Sequence, residues 1–441
     1  MSDSELPVIG ETIPYERFLD CVHCGLCTSA CPTYVETGNE NDSPRGRIYL
    51  MRSVVDGRLD LTDKVRGHLD LCLDCRSCET ACPSGVQYGR LLEPFRVEMQ
   101  NSPASGDSTA ARSGPDLFHR WIMYGLFTSR RRMAWTLAPA RWMQRLGADR
   151  LLEASGLTRL LPSRLRRMQQ QLPRLQPATS ALPERLPAIG ERRATVGLFL
   201  GCVADAMFRH VHHATARVLQ QNGCEVIIPA AQQCCGAIHY HSGAADPAAE
   251  LIRQNVDAFA DLNLDAIVVN VAGCGSMLKD YTHIMSELQP DSDHSRTAAV
   301  VSLIKDISEF LDELGIVPPT GQIDATVAYQ DACHLQHAQQ VRDQPRHLLS
   351  QIPGVKLVPV AESELCCGAA GSYNLTQPEM ADRLGQRRIK HLLATEPDVI
   401  ASGNAGCSLQ LQSQLRQAGR SLPVMHPIEL LDRSYRGESF S

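Results

Sequence analysis

Long apolar runs and a surplus of basic residues are both missing from this sequence. Its longest apolar stretches, residues 121 to 127 and 196 to 203, fall short of the roughly 18 residues that a membrane-spanning helix needs. We therefore expect any contact with a membrane to be made at its surface or through a partner. The formal net charge of −6 argues against a nucleic-acid role, which favours a basic surface.

Two targeting and binding signals are also missing. Residues Met1 to Leu6 are acidic and contain neither the basic region nor the apolar stretch of a secretory leader, which predicts a cytoplasmic protein with reduced thiols. No G-x-G-x-x-G motif follows a strand-like run, so the sequence predicts no flavin or nicotinamide site. Lysine is absent from Arg112 to Arg193, where arginine is frequent and all three tryptophans, Trp121, Trp135 and Trp142, are found.

Cysteine, in contrast, is plentiful, with 17 residues in a chain of 441. Two runs near the N-terminus share the spacing C-x2-C-x2-C-x3-C-P. They consist of Cys21, Cys24, Cys27 and Cys31 before Pro32, and of Cys72, Cys75, Cys78 and Cys82 before Pro83. This spacing is typical of loops that wrap a 4Fe-4S cluster.

The fourth cysteine of such a run ligates the other cluster in two-cluster ferredoxins. We therefore assign one cluster to Cys21, Cys24, Cys27 and Cys82, and the other to Cys72, Cys75, Cys78 and Cys31. Zinc sites use paired ligands, and disulfide frameworks belong to small secreted chains, so neither alternative fits as well. The runs predict a protein that moves single electrons.

Between the two runs, Ser43 and Pro44 are a typical start of a helix, and Gly57 is a plausible stop. Arg45 and Arg47 would then lie near the anionic clusters, where a positive charge raises the reduction potential. A solvated helix face is the alternative for either arginine.

The C-terminal half contains an internal repeat with an offset of about 132 residues. Each copy has one isolated cysteine, a Cys-Cys-Gly segment and an Ala-Gly-Cys segment. The cysteines are Cys202, Cys234, Cys235 and Cys274 in the first copy, and Cys333, Cys366, Cys367 and Cys407 in the second. Strand-like runs precede them and helical stretches lie between, which predicts two α/β domains with cysteines at the carboxyl ends of parallel strands.

These patterns predict a multidomain protein, in which an α-helical dicluster ferredoxin-like domain precedes two homologous α/β cysteine-rich domains. The predicted segments are 1–105 for the dicluster 4Fe-4S domain, 106–193 for an Arg- and Trp-rich helical connector, 194–318 for the first cysteine-rich domain and 319–441 for the second. We expect at least one further iron-sulfur cluster in the repeats. A redox disulfide at the adjacent cysteines is the alternative.

The layout resembles the iron-sulfur subunit of bacterial glycolate oxidase over essentially the whole chain. The motifs that carry the resemblance, besides the cysteine runs, are residues 43–50 (SPRGRIYL), 234–237 (CCGA), 335–339 (LQHAQ), 365–373 (LCCGAAGSY) and 404–407 (NAGC). The resemblance implies a relay role. An FAD-binding partner subunit, with a flavin-subunit homologue beside it, would oxidise glycolate or D-lactate, and this chain would pass the electrons to a membrane quinone.

The resemblance also implies that this chain has no catalytic residue and holds no FAD, and no base and arginine pair for a 2-hydroxy acid is identifiable in the sequence. It allows a peripheral position on the cytoplasmic face of the inner membrane. Two alternatives stay open. One is the equivalent subunit of a glycerol-3-phosphate or D-lactate dehydrogenase, and the other is a disulfide or thiol reductase of the heterodisulfide reductase type acting at the Cys-Cys-Gly segments.

The repeats resemble the cysteine-rich CCG domain shared with heterodisulfide reductases, whose full pattern has a fifth cysteine. Met277 and Gln410 occupy that position here, so an ordinary 4Fe-4S cluster on four thiolates is favoured.

Some further residues have two or three interpretations. Cys224 is expected to be a buried small hydrophobe. Structural hydrogen bonding is the default for the histidines near the repeat cysteines, and a role beside a cluster is the alternative. These histidines are His239, His241, His334 and His337. The Arg- and Trp-rich stretch could contact a membrane surface, dock the flavin subunits or pack as ordinary helices.

Overall fold

The computed structural model of this chain describes residues 9–10, 12–101, 117–177 and 179–439. The predicted boundary between residues 105 and 106 and the acidic segment Met1 to Leu6 lie outside these residues. The N-terminal part is helical. Its helices are α1 (Glu16–Leu19), α2 (Pro32–Thr37), α3 (Pro44–Val55), α4 (Asp63–Asp70), α5 (Ser77–Thr80) and α6 (Gly89–Asn101), with a 3-10 turn at Glu40–Asp42.

Helix α3 begins and ends where the sequence predicts. The Ser43 hydroxyl accepts a hydrogen bond from the Gly46 N–H, and Pro44 occupies the first turn, where a missing N–H costs nothing. The apolar face of α3 packs in a small core with those of α4 and α6. The largest fully buried side chains of that core are Phe18, Met51, Leu69, Leu91, Leu92 and Phe95.

The stretch between the N-terminal part and the first repeat, which we call the connector, contains a series of short helices. They are a π-helical segment (His119–Leu126), α7 (Arg130–Arg145), α8 (Ala148–Ala154), a 3-10 turn (Leu157–Leu160) and α9 (Ser163–Gln171). Met133 and Leu137 lie one turn apart on α7 and pack against the first repeat. None of the helices in the described ranges combines the length and apolar character needed to span a bilayer.

The first repeat folds around a five-stranded sheet. Its elements are β1 (Arg185–Leu186), β2 (Ala194–Phe199), α10 (Val203–Met207), α11 (Arg209–Gln221), β3 (Cys224–Ile227), α12 (Ala237–Tyr240), α13 (Ala245–Phe259), β4 (Ala266–Val269), α14 (Ala272–Lys279), α15 (Tyr281–Leu288), α16 (Ser295–Ser302), β5 (Ile304–Asp306) and α17 (Ile307–Leu314). The strand order is β1-β3-β2-β4-β5. Only β1 is antiparallel to its neighbour, and it comes from the stretch predicted as connector.

The second repeat has the same order without the extra strand. Its elements are β6 (Ala325–Gln330), a π-helical turn (His334–Ala338), α18 (Gln344–Ser350), β7 (Val355–Val358), α19 (Tyr373–Thr376), α20 (Pro378–Leu393), β8 (Val399–Ser402), α21 (Ala405–Gln417), β9 (Val424–Met425) and α22 (Pro427–Tyr435). The strands are all parallel, in the order β7-β6-β8-β9. The predicted duplication of an α/β unit is therefore present in the fold.

The two repeats share one apolar core. Helix α11 of the first packs on α22 of the second, and α17 of the first packs on α18 of the second, so equivalent helices exchange partners. A bidentate ion pair joins Arg217 to Asp432 across this contact, with N–O distances of 2.9 and 2.7 Å. Further ion pairs join the N-terminal part to the repeats: Arg90 with Asp280, Arg17 with Glu287 and Arg387 with Glu36.

One buried carboxyl in the first repeat makes stability depend on pH. Asp306 is 3% exposed and caps α17, and its burial raises its pKa to about 7. The unfolded carboxyl ionises near pH 4, so between about pH 4 and pH 7 the folded state retains a proton that the unfolded state has lost. Stability contributed by this group therefore falls as the pH rises through that window, by about 1.4 kcal/mol per pH unit.

Asp306→Asn keeps an oxygen that can cap α17 and removes the titration. We expect the stability of this variant relative to the native protein to increase by roughly 2 kcal/mol between pH 5.5 and pH 7.5. Thermal unfolding of both proteins at the two pH values measures the difference. Parallel pH profiles would show that Asp306 titrates normally.

Candidate metal centres

The two N-terminal cysteine runs follow the same backbone path. The residues on both sides of the second cysteine have positive φ angles in each run: 55° and 85° at His23 and Gly25, and 52° and 60° at Asp74 and Arg76. Left-handed residues turn the backbone N–H groups towards the inside of a loop, where they can bind negative charge. The duplicated spacing therefore produces two equivalent anion-binding loops.

The second loop surrounds a small cavity. Its lining includes Cys72, Cys75, Cys78 and, from the first run, Cys31, which is the crossed set that the spacing predicts. Burial and the charges of neighbouring cysteines hold the pKa of Cys75 and Cys78 well above the usual range. Thiolates there need a compensating positive charge, which an iron-sulfur core supplies, so the residues present fit such a group.

The first loop lies nearer the solvent. Burial and the nearby Cys82 and Cys24 raise the pKa of Cys21, so the last cysteine of the second run lies beside the first loop. Burial also raises the pKa of Cys27 to about 11, while Cys24 is exposed. Four large apolar side chains around this loop are exposed and form what we term the loop patch: Leu19, Val22, Leu26 and Tyr49.

Two arginines of α3 lie beside these loops. Arg47 is fully buried, and its Nη1 lies 3.9 Å from Cys31 Sγ. Arg45 is more exposed and donates to the His23 carbonyl oxygen of the first loop at 3.0 Å. Both positions agree with the predicted proximity to the cysteine runs, and the solvated-face alternative is wrong for Arg47.

The repeats place their cysteines where the carboxyl ends of the strands meet. In the first repeat Cys202 Sγ lies 3.2 Å from Cys234 Sγ, and Cys235 Sγ lies 3.4 Å from Cys274 Sγ. In the second repeat Cys333 Sγ and Cys366 Sγ are 3.8 Å apart, with Cys367 and Cys407 packed alongside. These separations exceed an S–S bond, and the thiols are unbridged.

The Cys-Cys-Gly segments have the same geometry in both repeats. Gly236 and Gly368 have φ angles of 87° and 84°, and a Cβ on Gly368 would lie 2.7 Å from a backbone oxygen, so only glycine fits. This turn allows the backbone N–H of the residue after the glycine, Ala237 or Ala369, to donate to the second cysteine. Hydrogen bonds from the neighbouring thiols and from this backbone hold the pKa of Cys235 and Cys367 well below the usual range. Each repeat thus surrounds the second cysteine of this segment with hydrogen-bond donors.

The two residues at the fifth position differ in their surroundings. The Gln410 amide is buried and donates to the Ala381 carbonyl, while its oxygen accepts from Gln171 and Asn374 at 3.3 Å. It is therefore engaged away from the cysteines. Met277 is buried among the cysteines of the first repeat and packs near Gly236.

The predicted histidines connect segments. His334 Nε2 lies 3.0 Å from the Asp74 carbonyl oxygen, and His337 lies 3.0 Å from Thr80 Oγ1. His239 stacks on Tyr124 of the connector, with ring centroids 4.7 Å apart. The hydrogen bonds of His334 and His337 match the structural default. His239 lies near Cys235 and its Nδ1 has no hydrogen-bond partner among the described residues, so a role beside a cluster stays a prediction for it.

The fourth histidine belongs to a buried charge network that sequence reasoning missed. His241 Nδ1 lies 2.8 Å from Glu93, and Arg76 pairs with both Glu93 and Asp74 at 2.9 Å. Although burial opposes the charge, the hydrogen bond and charge of Glu93 give His241 a raised pKa. Arg388 was also missed: it is 3% exposed, it donates to the Leu365 carbonyl, and it lies near both cysteines of the second Cys-Cys-Gly segment.

The cysteine sites are neighbours in a continuous order. Cys75 of the second loop packs with Cys366, and Cys333 is one of the charged groups that raise its pKa. The two repeats then meet at the ends of β4 and β8, where the Gly273 N–H donates to Asn404 Oδ1 at 3.3 Å. Asn404 Nδ2 also lies 3.2 Å from Cys407 Sγ. The order runs from the exposed first loop through the second loop into the repeats.

Cys224 and the three tryptophans also had alternative interpretations, and their burial distinguishes between these. Cys224 is the first residue of β3, fully buried, and burial raises its pKa to about 12, which confirms it as a packed small side chain. Trp121, Trp135 and Trp142 are 72%, 81% and 65% exposed, so ordinary helical packing is wrong for them. The exposed side of α7 carries Arg131, Trp135 and Trp142, and Leu146 follows directly after the helix; we term these four residues the connector face.

Comparison with known proteins accounts for each part of the chain. A 4Fe-4S dicluster domain matches residues 17–86, a cysteine-rich domain matches residues 196–279 and 327–412, and the linker region of the glycolate oxidase iron-sulfur subunit matches residues 114–172. The chain is 38% identical to the probable glycolate oxidase iron-sulfur subunit of Bacillus subtilis, over 94% of this chain and 93% of the relative.

This chain belongs to the glycolate oxidase iron-sulfur subunit family. The glycolate oxidase iron-sulfur subunit of Escherichia coli is 34% identical over 95% of this chain and 94% of its own length. Lactate utilization protein A of Oceanobacillus iheyensis is 31% identical and covers 55% of this chain. The predicted family and the iron-sulfur cofactors are confirmed, and the chain is an iron-sulfur subunit of a hydroxy-acid dehydrogenase.

The burial of Arg47 beside Cys31 predicts an effect on redox potential. A unit charge a few ångströms from a cluster changes its energy by several kcal/mol even at an effective dielectric constant near 20. Arg47→Gln should therefore lower the reduction potential of one cluster, on the order of 100 mV, whereas Arg47→Lys should lower it much less. Redox titration followed by electron paramagnetic resonance measures both. Equal potentials in all three proteins would show that the Arg47 charge has no electrostatic role.

Proposed function

We propose that this subunit accepts electrons from the reduced FAD of a partner subunit, which oxidises glycolate to glyoxylate, and passes them to a membrane quinone. The order of the cysteine sites carries the proposal, because it connects an exposed loop to the interior of the repeats. The partners would be the FAD-binding glycolate oxidase subunit and its flavin-subunit homologue. The likeness to lactate utilization protein A supports D-lactate, oxidised to pyruvate, as a second substrate.

The ligand sets follow the cysteine clusters. We assign two 4Fe-4S clusters to the crossed sets of the N-terminal loops, in which Cys82 completes the first loop and Cys31 the second. The cavity lined by Cys31, Cys72, Cys75 and Cys78 supports the crossing. At least one further cluster is assigned to the repeat cysteines. When bound, such clusters supply one-electron redox chemistry. The chain itself supplies the thiolates and their charge compensation.

Iron content tests the ligand assignment. The protein purified anaerobically should contain more than eight irons per chain, since each of the two loop clusters holds about four. Cys75→Ser should remove about four of them, and Cys367→Ser should lower the content while the two loop-cluster signals persist. Cys224→Ser is the matched control, because this buried thiol lies away from every site. Eight irons in the native protein and in Cys367→Ser would leave the repeats without a cluster.

The loop patch is the proposed docking site for the flavoprotein. Its apolar side chains are exposed beside the cysteine loop nearest the solvent, and exposed apolar groups at a redox site suit a partner that buries them. Electrons would then enter at the first loop. No other cysteine run in the described residues is as exposed as this one.

The connector face is the proposed site of contact with an anionic membrane surface. Its two tryptophans project from α7 together with Arg131, its leucine follows directly after the helix, and the surrounding stretch is rich in arginine. Tryptophan prefers the headgroup region, and arginine pairs with lipid phosphates. This would place the subunit peripherally on the cytoplasmic face of the inner membrane.

A crossed experiment tests both surfaces. The double variant Val22→Asp/Leu26→Asp should slow electron transfer from the flavoprotein at least tenfold, because interface anchors contribute more than about 1 kcal/mol each. Its binding to vesicles of anionic phospholipid should be unchanged. Trp135→Ser/Trp142→Ser should bind the vesicles more weakly and accept electrons from the flavoprotein at the native rate. Iron content should stay at the native level in both variants. If the tryptophan variant binds vesicles normally but loses the flavoprotein, the connector face docks the partner instead.

A further inference from the structure

A cavity of about 650 Å³ lies between the two cysteine-rich repeats. It is bounded by the ends of β4 and β8, by α11 and α21, and by the segment from β9 into α22. Val271 and Ala405 line it and stand three and two residues before Cys274 and Cys407. The cavity therefore adjoins segments that carry a cysteine of each repeat.

Four polar side-chain atoms on this lining have no hydrogen-bond partner among the described residues. They are His210 Nδ1, Asn270 Oδ1, Ser402 Oγ and His426 Nε2. Asn270 and Ser402 are each 1% exposed, and His426 is 7% exposed. A buried polar atom without a partner costs free energy, so a native protein rarely keeps several together without a ligand or water to satisfy them.

Each of the two histidines of the lining can donate a hydrogen bond from the ring nitrogen that has no partner among the described residues. His426 Nδ1 accepts the Ile428 N–H at 3.1 Å, so its neutral ring carries the proton on Nε2. Burial lowers the pKa of His426 to about 3 and also lowers that of His210, which keeps both rings neutral. His210 Nε2 lies 3.4 Å from the carboxyl of Glu429, which is 17% exposed and whose pKa is raised to about 7 by burial. When protonated, this carboxyl donates to His210 Nε2 and leaves the ring proton on Nδ1.

The remaining lining is apolar inside and cationic at the mouth. Apolar side chains form the walls: Met207, Phe208, Val211, Leu415 and Met425. Exposed arginines surround the opening: Arg174, Arg416 and Arg420. The interior thus has neutral donors and acceptors and apolar walls, which excludes a strongly charged ligand and suits a neutral ring with polar atoms at its edge.

We propose that this cavity binds the ring of a quinone, with its carbonyl oxygens accepting from His210 and His426. The site rests on the proposed function, in which the chain passes electrons to a quinone. Asn270 Oδ1 and Ser402 Oγ are acceptors, so the same cavity can hold the quinol, whose hydroxyls donate. Conversion of one into the other takes two electrons, delivered through the subunit's electron-transfer role, and two protons, one onto each carbonyl oxygen. The contact between the Glu429 carboxyl and His210 Nε2 offers a path by which protons reach the ring.

The position of the mouth agrees with a ligand that arrives from a membrane. Pro173 and Arg174, just beyond the connector helices, form part of the lining. Helix α7, which carries the connector face, packs on α10, and Met207 at the end of α10 lines the cavity. Helices α7 and α10 therefore connect the exposed tryptophans of the connector face to the lining of the cavity.

Binding of a ubiquinone with a single isoprene unit to the full-length, cluster-containing subunit tests the proposal. His210→Leu removes one donor, and Met425→Trp fills part of the cavity. His213→Leu is the matched control, because His213 lies on the same helix and contacts the Ser180 carbonyl instead. We expect the dissociation constant, measured by calorimetry, to rise about tenfold in His210→Leu, to rise beyond measurement in Met425→Trp, and to stay unchanged in His213→Leu. Iron content and melting temperature check that each variant is folded.

Equal binding by all four proteins, or no binding by the native subunit, would overturn the proposed site. Quinone reduction by the assembled complex with glycolate is measured in parallel, so that a failure of the proposed cavity site can be distinguished from a failure of the proposed function. If the complex reduces quinone but the cavity variants bind and turn over normally, the relay is correct and the cavity is the wrong site. If the native complex reduces no quinone, the proposed function itself fails.

Discussion

The burial of thiol groups is the constraint on which the rest of this structure depends. A thiolate in an apolar interior is stable only beside positive charge or hydrogen-bond donors. The protein supplies both, from two buried arginines and a half-buried asparagine. Arg47 lies beside Cys31, Arg388 lies behind the second Cys-Cys-Gly segment, and Asn404 donates to Cys407. The two arginines are held by carbonyls and a carboxylate of neighbouring segments, and the Asn404 oxygen accepts from the Gly273 N–H, so the redox sites and the contacts between segments are built from the same residues.

The two cysteine-rich repeats have similar folds, but the two sides of the junction between them differ. Both repeats have the same central strand order and the same glycine turn after the paired cysteines. On one side of their junction, α14 packs on the π-helical turn of the second repeat, and Gln339 donates to the Ala272 carbonyl. On the other side the corresponding space is open and lined by unpartnered polar atoms. One junction thus joins the repeats to each other, and the other leaves room for a ligand.

The sequence could predict features that rest on local spacing. The cysteine runs predict two equivalent loops, Ser43 and Pro44 predict the start of α3, and the strand-like runs predict where the repeat cysteines lie. Strand β1 could not be predicted, since two residues have no periodicity and pair only because β3 is exposed at the sheet edge. The network of Arg76, Glu93 and His241 could not be predicted either, because it joins residues far apart in sequence.

The crossed arrangement of the N-terminal cysteines has a consequence for how the protein is made. Cys31 lies with the second run and Cys82 beside the first, so under the proposed assignment neither ligand set would be complete until both loops had been synthesised. A nascent chain that has released only the first loop offers three thiols and no closed site. With these ligand sets, iron insertion would wait for the whole N-terminal domain. The two proposed clusters would mature together, and a defect in either loop would expose both to loss during biogenesis.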